Sequence, residues 1–265
     1  SNTAAIRIEG VICLLMALPI AIPLALLGNA LAKPIRHPRK AVVPVVLLAP
    51  LLSGVEARLP AAPDVRSVVT SIDIQAPPEA VWRRVVEFPD LPPPAEWYFR
   101  AGLAYPIRAR IEGHGPGAIR YCEFSTGPFV EPITTWDEPR RLAFRVTHNP
   151  EPMRELSPYD IHPPHLQGWF ESRRGEFLLE PLPGGGTRLR GTTWYRQRLQ
   201  PERYWSMWTD AIIHRIHLRV LRHIRDSAER DRQGRSSIDF GQSEPSSRDS
   251  ARSASSRPPV WQRGQ

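Results

Sequence analysis

Lysine is nearly missing from this chain: Lys33 and Lys40 face 33 arginines. Cysteine is equally scarce, with only Cys13 and Cys122. No CxxC and no Cys/His ligand spacing exists, so the sequence offers neither a disulfide framework nor a zinc finger. No HExxH motif and no internal repeat is present, and no metal or other cofactor is expected. The net charge of +8 is a general invitation to a nucleic-acid reading. The arginines are scattered, not gathered with aromatics on one element, and 30 prolines accompany them. That is compositional bias rather than a binding footprint, so no nucleic-acid partner is expected.

Charge is wholly lacking between residues 10 and 32. A helix of that length crosses a hydrocarbon core of about 30 Å. Pro19 and Pro23 kink such a helix without forbidding it. A signal peptide is the rival, but the run exceeds the usual h-region and no clean cleavage site follows. Residues 41–55 form a second uncharged run, which as a helix spans only about 22 Å. It is a candidate second span or an interfacial segment. Between the runs lie Lys33, Arg36, Arg39 and Lys40 with no acid, a loop the positive-inside rule puts in the cytoplasm. The expected location is a bacterial inner membrane. The remaining chain is extracytoplasmic if 41–55 crosses and cytoplasmic if it does not.

Residues 60–65 read as a Pro/Ala linker, and 233–265 as a Ser/Arg/Gly/Gln-rich tail too poor in apolar groups to order itself. The globular region is 66–232. Val68, Thr70, Ile72 and Ile74 alternate with polar neighbours, as a strand does. Pro77 and Pro78 open a helix over 79–88. A second short helix is expected over 95–101. Strands then follow at 107–112, 119–124, 129–136, 142–148, 176–182 and 187–195, separated by Gly/Pro turns. A Pro/His loop occupies 149–168. Residues 201–232 carry Trp205, Trp208, Ile212, Ile213, Ile216, Val220 and Ile224 on one helical stripe.

This order resembles the START-like helix-grip superfamily (SRPBCC), which includes polyketide cyclase/dehydratase and lipid-transport domains. "SIDIQAPPEAVWRRVVEF" at 71–88 is similar to the family's opening, and "FLLEPLPGGGTRLRGTTWY" at 177–195 to its penultimate hairpin. The resemblance implies an α+β fold. A curved antiparallel sheet of six or seven strands, with two short helices after the first strand, grips a long C-terminal helix, with a cavity between them. The resemblance covers roughly residues 66–230 and not the transmembrane helix or helices expected ahead of it. It implies no catalytic set, because fold alone does not give function.

Charges belong outside unless paired. On that rule the cavity-facing sets are Ile107, Ala109, Ile111; Ile119, Tyr121, Glu123; Leu142, Phe144, Val146, His148; Phe177, Leu179; and Leu189, Gly191, Thr193, Tyr195. The strand 129–136 is ambiguous, with Glu131 and Trp136 on opposite faces by alternation. Tyr121, Glu123, His148, Thr193 and Tyr195 are then polar points on an apolar wall. They either orient a ligand or do acid/base work, with Glu123 the catalytic candidate, or they simply pair with each other. Asp210, His214 and His217 stand at i, i+4 and i+7 on one edge of the last helix. Two imidazoles and a carboxylate on one face can bind a metal or contact a ligand. Alternatively they pair locally, Asp210 with His214, which is the reading adopted over a metal. The loop around Tyr159, His162 and His165, with Trp169 beside it, is either a lid or a rigid surface segment.

Three readings follow. The first is a membrane-anchored binding or transfer domain for a hydrophobic small molecule or lipid. The second is a cyclase/dehydratase-like enzyme using the same cavity. The third has the Arg-rich tail engaging a partner or anionic headgroups.

Overall fold

The structure is a computed structural model that describes residues 11–32, 54, 64–154 and 168–242, side chains at 11–14, 31–32 and 234–242 excepted. The second apolar run apart from Gly54, the linker up to residue 63, most of the Pro/His loop and the end of the tail lie outside the described residues.

Seven strands form one antiparallel sheet: β1 (Arg66–Ile74), β2 (Pro106–Glu112), β3 (Ile119–Phe124), β4 (Gly127–Asp137), β5 (Arg141–Arg145), β6 (Phe170–Pro181) and β7 (Thr187–Gln197). Their order is β1-β7-β6-β5-β4-β3-β2. Only the β1–β7 pairing joins strands distant in sequence, Arg66 opposite Tyr195 through Ile74 opposite Thr187. Four helices accompany the sheet among the described residues: α1 (Val11–Ala32), α2 (Pro78–Val86), α3 (Trp97–Arg100) and α4 (Glu202–Gln242).

Helix α2 begins where Pro77 and Pro78 supply a preset φ and Glu79 meets the helix N-terminus. It ends at Val86, earlier than the sequence suggests. Phe88 precedes Pro89, which disfavours helical backbone, and Phe88 instead exchanges two 3.2 Å hydrogen bonds with Ala109 on β2. Helix α4 continues to Gln242, beyond the expected limit of the globular region at 232.

The sheet and α4 enclose a core at one end. Trp82, Val81 and Val85 of α2 pack with Ile74, Leu142, Leu189, Leu221 and Ile224, all 2% exposed or less. Each such side chain contributes about 1.5–3 kcal/mol by leaving water. Trp82 meets Trp136 edge-on at 5.6 Å. Trp136 reaches this face because β4 changes register between Ile133 and Thr135. The bulge inserts an extra residue and breaks strict alternation. Glu131 and Trp136 therefore both point inward, which alternation alone does not allow.

Helix α1 forms over the uncharged run, with Leu15, Leu18, Ile22, Leu26 and Leu27 all more than 40% exposed. Its described side chains cover 15–30, short of the about 20 residues of a span. Among the described residues no helix is long and apolar enough to cross a membrane. The transmembrane expectation is thus not met within them. Met16 packs beside the small cluster of Phe99, Leu103 and Met153, and the Tyr204 hydroxyl donates to its carbonyl.

Candidate functional site: a phenylalanine-lined cavity under the long helix

At the other end of the grip, sheet and helix stand apart and leave a cavity of about 120 Å³. Five phenylalanines stand in its wall from the strands: Phe124, Phe129, Phe144, Phe170 and Phe177. Ile213, Ile216 and Val220 of α4 close it from the other side. Gly175 lets the wall take this shape. It pairs with Phe144 across β5 and β6, and a Cβ there would lie 2.4 Å from the Phe144 ring. At Gly191 an added Cβ would meet only ordinary contacts, at 3.6 Å and beyond.

Three charged groups line this wall: Glu176, paired with Arg141 at 2.6 Å, and the pair Arg120 and Glu131. Arg120 is 1% exposed and Glu131 6%. They stand directly opposite on β3 and β4 and form a salt bridge. Arg120 Nε also donates to the Val86 carbonyl at 3.3 Å. Its guanidinium lies 5.6 Å from the ring centres of Phe88, Phe144 and Phe177, within reach of cation–π attraction. Burial pushes the Glu131 carboxyl up, against the pull of Arg120. Cys122 lies beside the pair, its thiol pushed up to about 12 by burial first and Glu131 second. A thiol so held is protonated and a poor nucleophile.

This arrangement reverses the expectation for β3. Arg120, Cys122 and Phe124 face inward, while Tyr121 and Glu123 lie on the outer face. Arg110 sits 4.1 Å over the Tyr121 ring. Glu123 accepts from Arg108 at 2.7 Å and Arg110 at 3.3 Å. Those bonds, the one from Arg108 foremost, hold its carboxyl below the usual range. The rule that charges face water fails here because Arg120 has its own buried counter-charge.

Other expected residues divide similarly. Phe144, Thr193 and His217 line the cavity. His148 is exposed, its carbonyl bonded to the Val130 amide at 3.2 Å. Trp169 is half-buried, and its neighbour Phe170 takes the place in the wall. His165 lies outside the described residues, and so does the lid expectation for its loop.

Tyr195, Asp210 and His214 join the edge where α4 meets β1 and β7. The Tyr195 hydroxyl donates to Asp210 Oδ1 at 2.6 Å, and Arg66 donates to Asp210 Oδ2 at 3.1 Å. Burial, then Asp210, push the Tyr195 phenol up. Thr70 Oγ1 lies 2.7 Å from His214 Nδ1 and 3.1 Å from His217 Nδ1. The other nitrogen of His217 lies 2.8 Å from Thr193 Oγ1. Burial, and secondarily His214, lower the His217 imidazole to about 4, so it is neutral. No cluster of three or more metal-ligating side chains occurs among the described residues.

Sequence reasoning missed Arg120, Cys122, Phe124, Phe129, Phe170, Ser172, Glu176 and Thr192 of the cavity and Thr70 beside it, and left Glu131 ambiguous. One signal for the pairing of Arg120 with Glu131 was available. A turn at Ser125–Thr126 puts Arg120 opposite Glu131, whereas a turn at Gly127–Pro128 slips the register.

A curled antiparallel sheet closed by one long C-terminal helix over a cavity is the helix-grip fold. The family described as polyketide cyclase/dehydrase and lipid transport matches residues 65–200, just over half of the chain, and this chain belongs to it. No curated protein matches it in sequence. Among solved structures it is similar to the ZhuI aromatase/cyclase of Streptomyces sp. R1128, at 16% identity and a TM-score of 0.40 over 63% of this chain and 94% of that one. A norcoclaurine synthase mutant of Thalictrum flavum gives 11% and 0.43 over 65% and 99%. The Aha1 dimer of Colwellia psychrerythraea gives 15% and 0.36 over 62% and 96%.

Proposed function

We propose that this chain is a membrane-tethered binding or transfer protein for a hydrophobic small molecule held between the sheet and α4. The observation that carries this is the phenylalanine-lined cavity with a buried Arg120–Glu131 pair in its wall. Binding sites for small molecules combine such apolar walls with a few placed polar groups. The size sharpens the reading. About 120 Å³ is close to the roughly 150 Å³ that takes one benzene molecule. The buried part of the ligand is therefore one ring or the end of an acyl chain.

What supports the tether is the uncharged run at 10–32 with its exposed leucines, side chains that lipid would cover. The same reading has the domain outside the cytoplasm, which requires a second crossing within 41–55. In its support, the domain touches α1 at Met16. That lies about 24 Å along the helix from Ala32 and the basic loop beyond it. The cavity also suits catalysis on a hydrophobic substrate, but Glu123, turned outward between two arginines, is badly placed for it.

The test is fluorobenzene binding to the full chain by 19F NMR, with solvent extraction and mass spectrometry of whatever co-purifies. Wild type should broaden and shift the probe signal, and Gly191→Leu, which fills the cavity, should abolish the effect. No co-extracted ligand together with an unperturbed probe would sink the binding reading.

A further inference from the structure

Two hydroxyls and two imidazoles make one unbroken hydrogen-bonded chain: Thr193, His217, Thr70, His214. Thr193 and His217 line the cavity, Thr70 is 3% exposed, and His214 is at the surface. A hydroxyl has one proton to give, and a neutral imidazole has one N–H and one acceptor nitrogen. With the buried Thr70 using its proton within the chain, only two orders are consistent. In the first, Thr193 O–H donates to His217 Nε2, His217 Nδ1–H donates to Thr70, and Thr70 O–H donates to His214 Nδ1. In the second, all three bonds run the other way.

We propose that protonation of His214 reverses this chain and turns Thr193 from hydrogen-bond acceptor into donor toward the cavity. The proposal rests on the cavity being a ligand site. A charged His214 has N–H on both nitrogens and must donate to Thr70. Thr70 then donates to His217 Nδ1. His217 carries its proton on Nε2 and donates to Thr193, whose own proton is released toward the ligand. A neutral histidine exposed to water carries its proton mainly on Nε2, so neutral His214 leaves Nδ1 bare as acceptor. Thr193 then spends its proton on His217 and offers the cavity only a lone pair. The net change is one proton gained, at His214 Nδ1. Thr70 and Thr193 keep one proton each, and that of His217 moves from Nδ1 to Nε2.

The ionisable groups around the chain leave this role to His214. On β1, Arg66 is bound to Asp210 of α4, and Tyr195 of β7 donates to the same carboxylate. Across the cavity, Arg120 and Glu131 neutralise each other, Glu176 is paired with Arg141 at 2.6 Å, and Cys122 keeps its proton. Burial keeps His217 neutral. The ligand class then depends on pH. A carbonyl compound, acceptor only, is favoured when His214 is charged, and a hydroxyl donor when it is neutral.

The experiment uses the full chain labelled with 15N-histidine, and acetophenone, which has one ring, one acceptor and no donor. As the pH is lowered until the 15N signals show His214 doubly protonated, the pyridine-type nitrogen of His217 should move from Nε2 to Nδ1. Acetophenone should bind about five- to tenfold tighter at the lower pH, the worth of one hydrogen bond. His214→Ala, at an exposed position, should remove both changes. Thr193→Val should remove the affinity gain and keep the tautomer change. A His217 that stays in one tautomer overturns the switch, whether or not acetophenone binds. A tautomer change with constant affinity overturns Thr193 as the ligand contact. A tautomer change with no acetophenone binding at either pH overturns the cavity reading beneath it.

Discussion

Arg120 decides which face of β3 meets the cavity. Each face of that strand carries one charge, Arg120 on one and Glu123 on the other, so polarity alone leaves a tie. Cross-strand partners break it. Glu123 finds two arginines on β2 at the surface, and Arg120 finds Glu131 inside. A buried pair of this kind is weak evidence for stability, because desolvation offsets much of the attraction. Removing one partner is another matter. Arg120→Met leaves Glu131 buried without its counter-charge and should cost about 3–5 kcal/mol. Arg120→Met with Glu131→Leu should return to within about 1 kcal/mol of wild type or exceed it. Urea unfolding midpoints decide this, and a double variant as unstable as the single one would refute the account. The site was only partly legible for the same reason: Phe144, Thr193 and His217 follow from alternation and helical spacing, but the inner face of β3 needs the register of its neighbours.

At the scale of elements, α4 is held to the sheet by a polar edge as well as by its apolar stripe. Asp210, His214 and His217 face Arg66, Thr70, Tyr195 and Thr193 along β1 and β7. Farther along, Asp231 accepts from Arg84 of α2 at 2.7 Å, and Glu229 accepts from the Gln75 amide at 2.8 Å. The exposed ion pairs contribute about 0–1 kcal/mol each. His217 matters more because it is buried neutral. Its folded value of about 4 lies below the ordinary 6.5. Between those values the unfolded chain binds the extra proton, so stability is full above about pH 6.5 and falls as pH drops toward about 4. The loss from this residue should be about 3 kcal/mol. His217→Gln should flatten that part of the pH–stability curve relative to wild type. Parallel curves would show that the imidazole is not buried as described.

At the scale of the whole molecule, a cavity-bearing domain touches the first turns of an uncharged helix. Chains that carry apolar cargo gain from standing beside a bilayer, since the cargo need not cross water. Expressed in a bacterium, the full chain should stay with membranes through alkaline carbonate washing. Deletion of residues 1–32 should move a large share to the washed-off fraction if 10–32 is the main anchor. In spheroplasts, external protease should cut the domain. Carbonate release of the full chain would remove the tether, and protease resistance in intact spheroplasts would put the domain in the cytoplasm.

The linear chain by itself determined the kinds and order of the elements. Period-two alternation, Gly/Pro turns and the apolar stripe of α4 are local patterns, and local backbone preference answers to them. The uncharged run at 10–32 was equally plain. Tertiary structure alone decided which polar residues meet the cavity. The bulge in β4 turned Glu131 and Trp136 to one side, and strand register gave Arg120 a partner that made its burial tolerable. It also brought Thr70, more than a hundred residues distant in the chain, between two histidines. Such pairings depend on which strands become neighbours, and that is a property of the closed sheet.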